Sequence, residues 1–534
     1  MRTHAFVACL AGCSGSGSLD LELSLPTQAD LRPTGMTTVT VTATRPGESP
    51  IATTSVLSGD AFTAGDLPIG EDIHIGIVLR DVSNRIVGVG EAAEPISITG
   101  DQSTQLTIPV RRPFVFAASG SELYSFDPTL DPRDAKFQGQ LGVTSAEFTV
   151  SVGGDRLAVI AGAQVQVVVT ATNTISGTIA IPGGVTDATA IPGTHKLAVA
   201  HAGGIAIVDL DTNTMINAEV GAVDRVTVGP SADGTMFAFG LIDRTEVPQN
   251  PPALTTCTGS SSLVTVNVAT GTASAPRPFD QAVSDLAAAS ASPTLYATLP
   301  CADQVVQISG DPASDAGAVA LTNVAALNRA AVATVAGDRL FAIGVTPSDP
   351  TCAVACSPAT AIVCQANQFQ SITNRLAWVE AGARLNLLSI PIAGGTPISI
   401  EIPGRTETII NIGDPAMGHA QVLKALGSTV NDLVALAGGQ YIALVTQSRY
   451  YIEQYESGAS VVLPCLDVTT SDWLLIDMAT SSIAQRVRTS CNPIVGNTNV
   501  MEFRNWACDT PPEGEVSTFP SYQPRSVGAL FGAR

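Results

Sequence analysis

Charge is scarce in this 534-residue chain, where only 14% of residues are charged. Lysine is nearly absent, occurring at Lys136, Lys196 and Lys424, and 47 acidic residues face 26 basic ones, a formal net charge of −21. A surface of that sign repels phosphate backbones, which excludes nucleic acid as a partner. No amphipathic heptad or long Glu/Lys/Leu pattern occurs, so helical bundles drop out and strands with turns remain. No apolar run reaches the ~20 residues of a membrane-spanning helix, because the best candidate, 318–336, is broken by Asn323, Asn328 and Arg329. The chain also has no Gly-x-Ser-x-Gly elbow, phosphate-binding glycine loop, His-Glu-x-x-His helix or dinucleotide fingerprint. With five histidines in all, acid–base chemistry built on histidine has few candidates.

Cysteine is missing between Cys13 and Cys257. At the N-terminus a short apolar stretch, Ala5 to Gly12, runs into Cys13, and Leu10-Ala-Gly-Cys13 resembles the lipobox of bacterial lipoproteins. The resemblance implies that Cys13 carries lipid, that 1–18 is signal and polar tether, and that the protein is exported and held to the cell envelope. The serine at position 14 points to the outer membrane of a Gram-negative bacterium. The twelve residues before Cys13 are short against the roughly 15–30 of a usual signal, which points to a start upstream of Met1. Once Cys9 leaves with the signal, eight cysteines remain: Cys257, Cys301, Cys352, Cys356, Cys364, Cys465, Cys491 and Cys508. An even number in an exported chain reads as disulfides. Zinc is the competing use, but Cys352 and Cys356 lack a second paired motif or a nearby histidine.

Residues 19–111 alternate apolar and polar positions in short runs, such as Leu19 to Leu25 and Ile73 to Leu79, separated by Pro, Gly and Asp turns. This period-two pattern predicts a small β-sandwich and resembles immunoglobulin-like modules. From 112 to 534 one unit recurs, clearest as Gly154-Asp-Arg-Leu-Ala-Val-Ile160, Asp233-Gly-Thr-Met-Phe-Ala-Phe239 and Gly337-Asp-Arg-Leu-Phe-Ala-Ile343. Apolar strands ending in polar turns follow, as in Ile205-Ala-Ile-Val-Asp-Leu-Asp-Thr-Asn213. That turn begins like a calcium loop but has Thr214 and Val220 where the loop needs glycine and glutamate, so it reads as a hairpin. Taking Phe114, Leu157, Leu197, Met236, Leu295, Leu340 and Tyr441 as equivalent gives spacings of 43, 40, 39, 59, 45 and 101. The short values match the ~40–50 residues of a four-stranded propeller blade. The repeat resembles the YVTN family of bacterial propellers, with its Asp-Gly turn, Leu-Tyr-Val strand and Asp-Thr-Ala-Thr strand end. The expectation is a seven-bladed β-propeller whose first blade is completed by the C-terminal strand within 525–532, and in it His195 and His201 are plain blade residues.

The long spacings imply insertions at 241–261, 346–382, 404–430, 447–470 and 489–524, with a short helix expected at Ala420 to Leu426. In a propeller these connections share one face, and the eight cysteines fall in or beside them; Cys257 with Cys301 is the best pairing. Trp378, Tyr450, Tyr451, Tyr455, Trp506 and Tyr522 fall there too, and such residues anchor interfaces or fill small cores under loops.

Glu147, Asp187, Asp224, Asp285 and Asp432, with Arg329 and Arg525, stand at corresponding entrances of the innermost strands. They predict a charged ring at the channel mouth, able to hold a divalent cation such as calcium or simply to cap strand ends. Two function classes follow. One is a non-enzymatic, lipid-anchored propeller that binds a protein or polymer and meets the membrane only through its anchor, with no cofactor. The alternative is a propeller hydrolase, lyase or lactonase that uses the acidic ring.

Overall fold

Alternation of buried and exposed residues is the physical signature of a half-buried strand, and Gly17–Ser24 and Gly70–Arg80 show it. In the computed structural model the described residues are 16–494 and 529–530, apart from stretches of five residues or fewer and 127–135, 245–259, 312–318, 321–329, 346–384 and 411–419. Every regular element among them is a strand. The chain divides into two compact units, Met1–Arg45 with Ser49–Arg111, and Pro46–Glu48 with Arg112–Arg534.

The first unit opens on Gly17–Ser24, so strand begins inside the stretch expected to be tether. Leu19, Leu21 and Leu23 point inward at 4% exposure or less, each contributing about 1.5–3 kcal/mol by burial. One sheet runs in the order Ile51–Val56, Thr38–Thr44, Gly70–Arg80, Ile86–Glu91, Thr104–Arg111, Gly17–Ser24, Ala61–Leu67, with Ile96–Ile98 added to Gly70–Arg80. Gly17–Ser24 and Thr104–Arg111 run parallel, and their leucine, isoleucine and valine side chains enter a single core.

The repeats of the second unit fold into consecutive antiparallel sheets, lettered here in chain order with strands given from inside outward. Sheet A is Ala529–Leu530, Val115–Ser119, Glu122–Phe126, Lys136–Gln140; sheet B is Phe148–Val152, Arg156–Ala161, Gln164–Val169, Thr174–Ala180. Sheet C is Val185–Ile191, Lys196–His201, Gly204–Asp209, Thr214–Glu219; sheet D is Arg225–Pro230, Met236–Ile242, Ser262–Asn267, Arg277–Pro278. Sheet E is Asp285–Ala288, Thr294–Leu299, Gln304–Ser309, Val319–Ala320; sheet F is Ala330–Ala336, Arg339–Val345, Leu385–Pro391, Ile398–Ile402. Sheet G has five strands, Glu407–Ile410, Ala420–Leu436, Tyr441–Glu456, Ala459–Asp477 and Ser482–Ile494.

Each sheet is too small to bury both of its faces alone, and neighbours solve this by sharing cores. Ala158, Ile160 and Val165 of B pack with Val199 and Val208 of C, Ala200 and Ile207 of C pack with Val264 and Val266 of D, and Phe239 of D packs with Leu295 and Ile308 of E. Tyr296 of E meets Leu340 and Ile390 of F, and Phe341 of F meets Ile442 and Leu474 of G. Four-stranded sheets joined face to face in chain order form a propeller-like arrangement of blades.

Polar side chains also fasten neighbouring sheets to one another. The Thr149 hydroxyl donates to the Phe116 carbonyl at 3.2 Å across A and B, and Thr186 donates to the Val223 carbonyl across C and D. The amide of Ala288 donates to Thr227 Oγ1 at 3.1 Å across D and E. At the hairpin of sheet C, Asp209 Oδ1 accepts the amides of Asp211 and Thr212, and Asn267 repeats the turn in sheet D with Ala269 and Thr270. The calcium-like segment is therefore a hairpin turn. Partial burial pushes the Asp209 carboxyl up, but the Thr212 and Asp211 bonds and nearby Lys196 outweigh it and hold it below its ordinary value.

Sheet G departs from expectation. The helix expected at Ala420 to Leu426 is strand, paired to Glu407–Ile410 on one side and to Tyr450–Tyr455 on the other. Val422, Leu423 and Leu426 have helical spacing, but pairing on both flanks overrides a weak local preference. Much of the expected loops 404–430 and 447–470, and 489–494 of the expected 489–524, is likewise strand, lengthening the last sheet's members to 17, 16, 19 and 13 residues where strands of the other blades have seven or fewer.

Candidate functional site

The entrances of the innermost strands bring together acidic side chains and two arginines. Arg225, the first residue of its strand in sheet D, lies between neighbours on both sides: Nη1 is 3.5 Å from Asp187 Oδ1 of sheet C and Nε is 3.9 Å from Asp285 Oδ1 of sheet E. All three side chains are less than a fifth exposed, so the charges are only partly screened by water. The other oxygen of Asp187 accepts the Val226 amide at 2.9 Å, and Asp285 Oδ1 accepts the Leu286 amide at 3.0 Å. Asp224 Oδ2 accepts the Arg244 amide at 2.8 Å, while Arg244 Nε donates to the Ser284 carbonyl at 2.7 Å. Each acid thus holds a backbone amide, and Arg225 compensates two of them.

Two groups of buried hydroxyls adjoin this cluster. The Val283 amide donates to Ser261 Oγ at 2.9 Å, the Ser261 hydroxyl donates to the Asp243 carbonyl at 2.8 Å, and Ser284 and Thr298 hydroxyls meet at 2.7 Å. All three hydroxyl residues are fully buried. His201, also fully buried, receives the Gly203 amide at Nδ1, which puts its proton on Nε2, facing Asn217 Oδ1 at 2.8 Å. His195 sits at the opposite ends of the strands, with Nδ1 2.7 Å from Asp211, whose other oxygen is 3.4 Å from Arg156 of sheet B.

Hydrogen-bond register separates the ring residues that residue counting had aligned. Phe148, Asp187, Thr227, Asp285, Val332 and Leu433 stand opposite equivalent positions of the second strands, namely Ile160, Ala200, Phe239, Thr298, Ile343 and Leu444. Only Asp187 and Asp285 of the expected acids share that level; Glu147 and Asp432 precede it by one residue and Asp224 by three. Glu147 donates its amide to the Ile160 carbonyl and is half-buried. Arg329 and Arg525 lie outside the described residues, as do Trp378, Trp506, Tyr522, Cys13, Cys257, Cys301, Cys352, Cys356, Cys364 and Cys508. Arg225 and Arg244 were not anticipated; the adjacent Asp224-Arg225 pair at a strand entrance was the available signal.

Tyr450, Tyr451 and Tyr455 occupy backbone positions in the long hairpin of sheet G, opposite Ala425, Lys424 and Ala420. Cys491 stands opposite Thr470, in the strand that also carries Cys465. Among the described residues no three His, Cys, Asp or Glu side chains converge enough to hold a metal ion, and no helix is long and apolar enough to cross a membrane.

No family model matches the chain, and no curated protein matches it. Solved structures similar to it include Kuenenia stuttgartiensis hydrazine synthase, at 13% identity over 64% of this chain and 95% of that one with a TM-score of 0.33. The Myceliophteria thermophila Cps50 (Swd1) beta-propeller domain is 10% identical over 64% and 96% of the two chains, with a TM-score of 0.35. The RRP9 WD40 repeats are 13% identical over 51% and 82%, with a TM-score of 0.30. The propeller-like arrangement rests on the chain's own sheet order and shared cores.

Proposed function

We propose that this is an exported, lipid-anchored envelope protein in which an immunoglobulin-like β-sandwich precedes a YVTN-like seven-bladed propeller, closed by Ala529–Leu530, that binds a protein or polymer. Contact is made through the face on which the innermost strands begin. The observation that carries the reading is the long hairpin of sheet G, Tyr441–Glu456 with Ala459–Asp477, which extends the blade where the second and third strands connect, on that same side. Its extension, 448–470, carries three of the seven tyrosines, and tyrosine is enriched where interfaces are strongest. The hydrolase reading is weakened by Arg225, because Asp187 and Asp285 are already compensated and each holds an amide.

The test is affinity capture from detergent-solubilised membranes with the tagged protein, beside a variant in which a short turn replaces 448–470. A stoichiometric partner kept by the parent and lost by the variant supports the reading. No difference between the two, together with a calcium-dependent rise in melting temperature abolished by Asp187→Asn with Asp285→Asn, would instead support the enzyme. Anchoring is tested separately, since Cys13→Ser should move the protein from the membrane pellet to the soluble fraction.

A further inference from the structure

Ile51–Val56 is the terminal strand of the first unit's sheet; among the described strands its backbone ladder is with Thr38–Thr44, while Ala61–Leu67, the sheet's other terminal strand, approaches it without ladder pairing. Its outer edge can be read residue by residue. The Leu57 amide donates to the Thr37 carbonyl at 2.9 Å, so by antiparallel alternation Ser55, Thr53 and Ile51 turn their backbone groups toward Thr38–Thr44. Ala52, Thr54 and Val56 turn theirs outward. The Thr40 and Thr54 hydroxyls, 3.0 Å apart, agree with this, since closely approaching side chains mark the pair that exchanges no backbone bonds.

Terminal edges of a sheet are normally blocked by lysine, proline, a bulge or an inward charge. This one has none of them: Ile51 to Gly59 is uncharged and free of proline, and the strand pairs with its neighbour without a register shift. Val56 is 78% and Ile51 41% exposed. In a chain of net charge −21, an uncharged edge is where two copies approach with least local repulsion.

We propose that this edge pairs with the same strand of a second copy, antiparallel, about a two-fold axis at Thr54. Only registers that set outward-facing residues against outward-facing residues can form the bonds, and the one centred on Thr54 uses all three of them. In it Ala52 stands opposite the partner's Val56 and Thr54 opposite the partner's Thr54. On the other face Thr53 meets the partner's Ser55 and Ile51 meets the partner's Leu57. Every pair is like with like, apolar to apolar and hydroxyl to hydroxyl, which is the self-complementarity a two-fold interface demands. A six-residue strand pair is smaller than a permanent interface, so the dimer exchanges with monomer.

Sedimentation of the Cys13→Ser chain over a concentration series tests this without an acyl group to hold copies together. The parent should shift from monomer to dimer. Thr54→Pro removes an amide turned away from Thr38–Thr44, and Val56→Lys places a charge on an exposed side chain; both should keep the parent's circular dichroism and remain monomeric. Thr54→Cys should add a reducible dimer band absent from the parent, because directly opposed hydrogen-bonded residues lie about 5.5 Å apart, within disulfide range. A parent that stays monomeric throughout, or a Val56→Lys variant that dimerises like the parent, overturns the proposal.

Discussion

Tyr296→Phe should make the protein more stable. The ring of Tyr296 is fully buried between sheets E and F, enclosed by Ala287, Ala289, Val305, Leu340, Ala342 and Ile390. Its hydroxyl has no hydrogen-bond partner. A hydroxyl moved from water to such a site without compensation costs about 1–3 kcal/mol, and deleting the oxygen recovers that cost less the contacts the oxygen made. The expected gain is about 1–2 kcal/mol, whereas Tyr296→Ala, which empties the site, should lose about 3–5 kcal/mol. Urea denaturation reads both as midpoint shifts at unchanged slope. Burial also pushes the phenol up to about 12, so in a spectrophotometric titration one tyrosine should ionise late and vanish from the Tyr296→Phe curve. The sign follows: the unfolded phenol releases its proton near pH 10, so the preference of the folded state for the neutral form is intact below pH 10. It is lost between pH 10 and about 12. A clear loss of stability in Tyr296→Phe would mean that the hydroxyl is hydrogen-bonded, and would refute the reasoning.

Arg225→Met should leave Asp187 and Asp285 uncompensated and destabilise the propeller unit by about 3 kcal/mol, read by the same denaturation, while Asp187→Asn in that background should recover part of the loss. Asp233 accepts the Ser231 hydroxyl and the Thr235 amide, which lower its carboxyl to about 2; an NMR titration should find it there, and its contribution to the turn should be present above pH 3.8 and fade as pH falls through 2. Gly204 has φ 155° and a Cβ there would fall 2.0 Å from the Ala218 carbonyl oxygen, so Gly204→Ala should separate strands of sheet C and lower the melting temperature sharply, by far more than Gly162→Ala, which meets nothing within 4 Å.

The blades were legible because one short strand, the Leu-Ala-Val or Leu-Phe-Ala segment, is apolar on both faces and recurs at a near-constant interval. Leu157, Ala158, Val159 and Ile160 are all fully buried, and a strand covered on both sides leaves a mark that needs no partner to be recognised. Outer strands leave almost none: Thr214–Glu219 is exposed at five of its six positions, so composition alone cannot separate it from a loop. Sheet G fails to read for the complementary reason. Its long strands carry alternation that is interrupted by bulges between Ala425 and Gly427, Val430 and Asp432, and Tyr451 and Glu453, and each bulge moves the apolar set to the other face. What remains over 420–426 resembles a helical period.

The acidic entrances show the same limit at the level of chemistry. Counting back ten residues from the marker finds Asp187 and Asp285 at one level because the turns before Leu197 and Leu295 have matching length. In sheet D the same level is held by Thr227, and the blade's acid, Asp224, sits three residues earlier, outside the strand. The sheet therefore presents not a carboxylate but Arg225 to its two neighbours, and the local charge changes from three adjacent negatives to two negatives about one positive. That inversion matters for function, since adjacent uncompensated carboxylates recruit a cation, whereas carboxylates sharing a guanidinium are largely satisfied. Residue types at strand entrances can be listed from sequence, but their sign as a group depends on hydrogen-bond register, and register is decided by turns and bulges that carry no periodic signal.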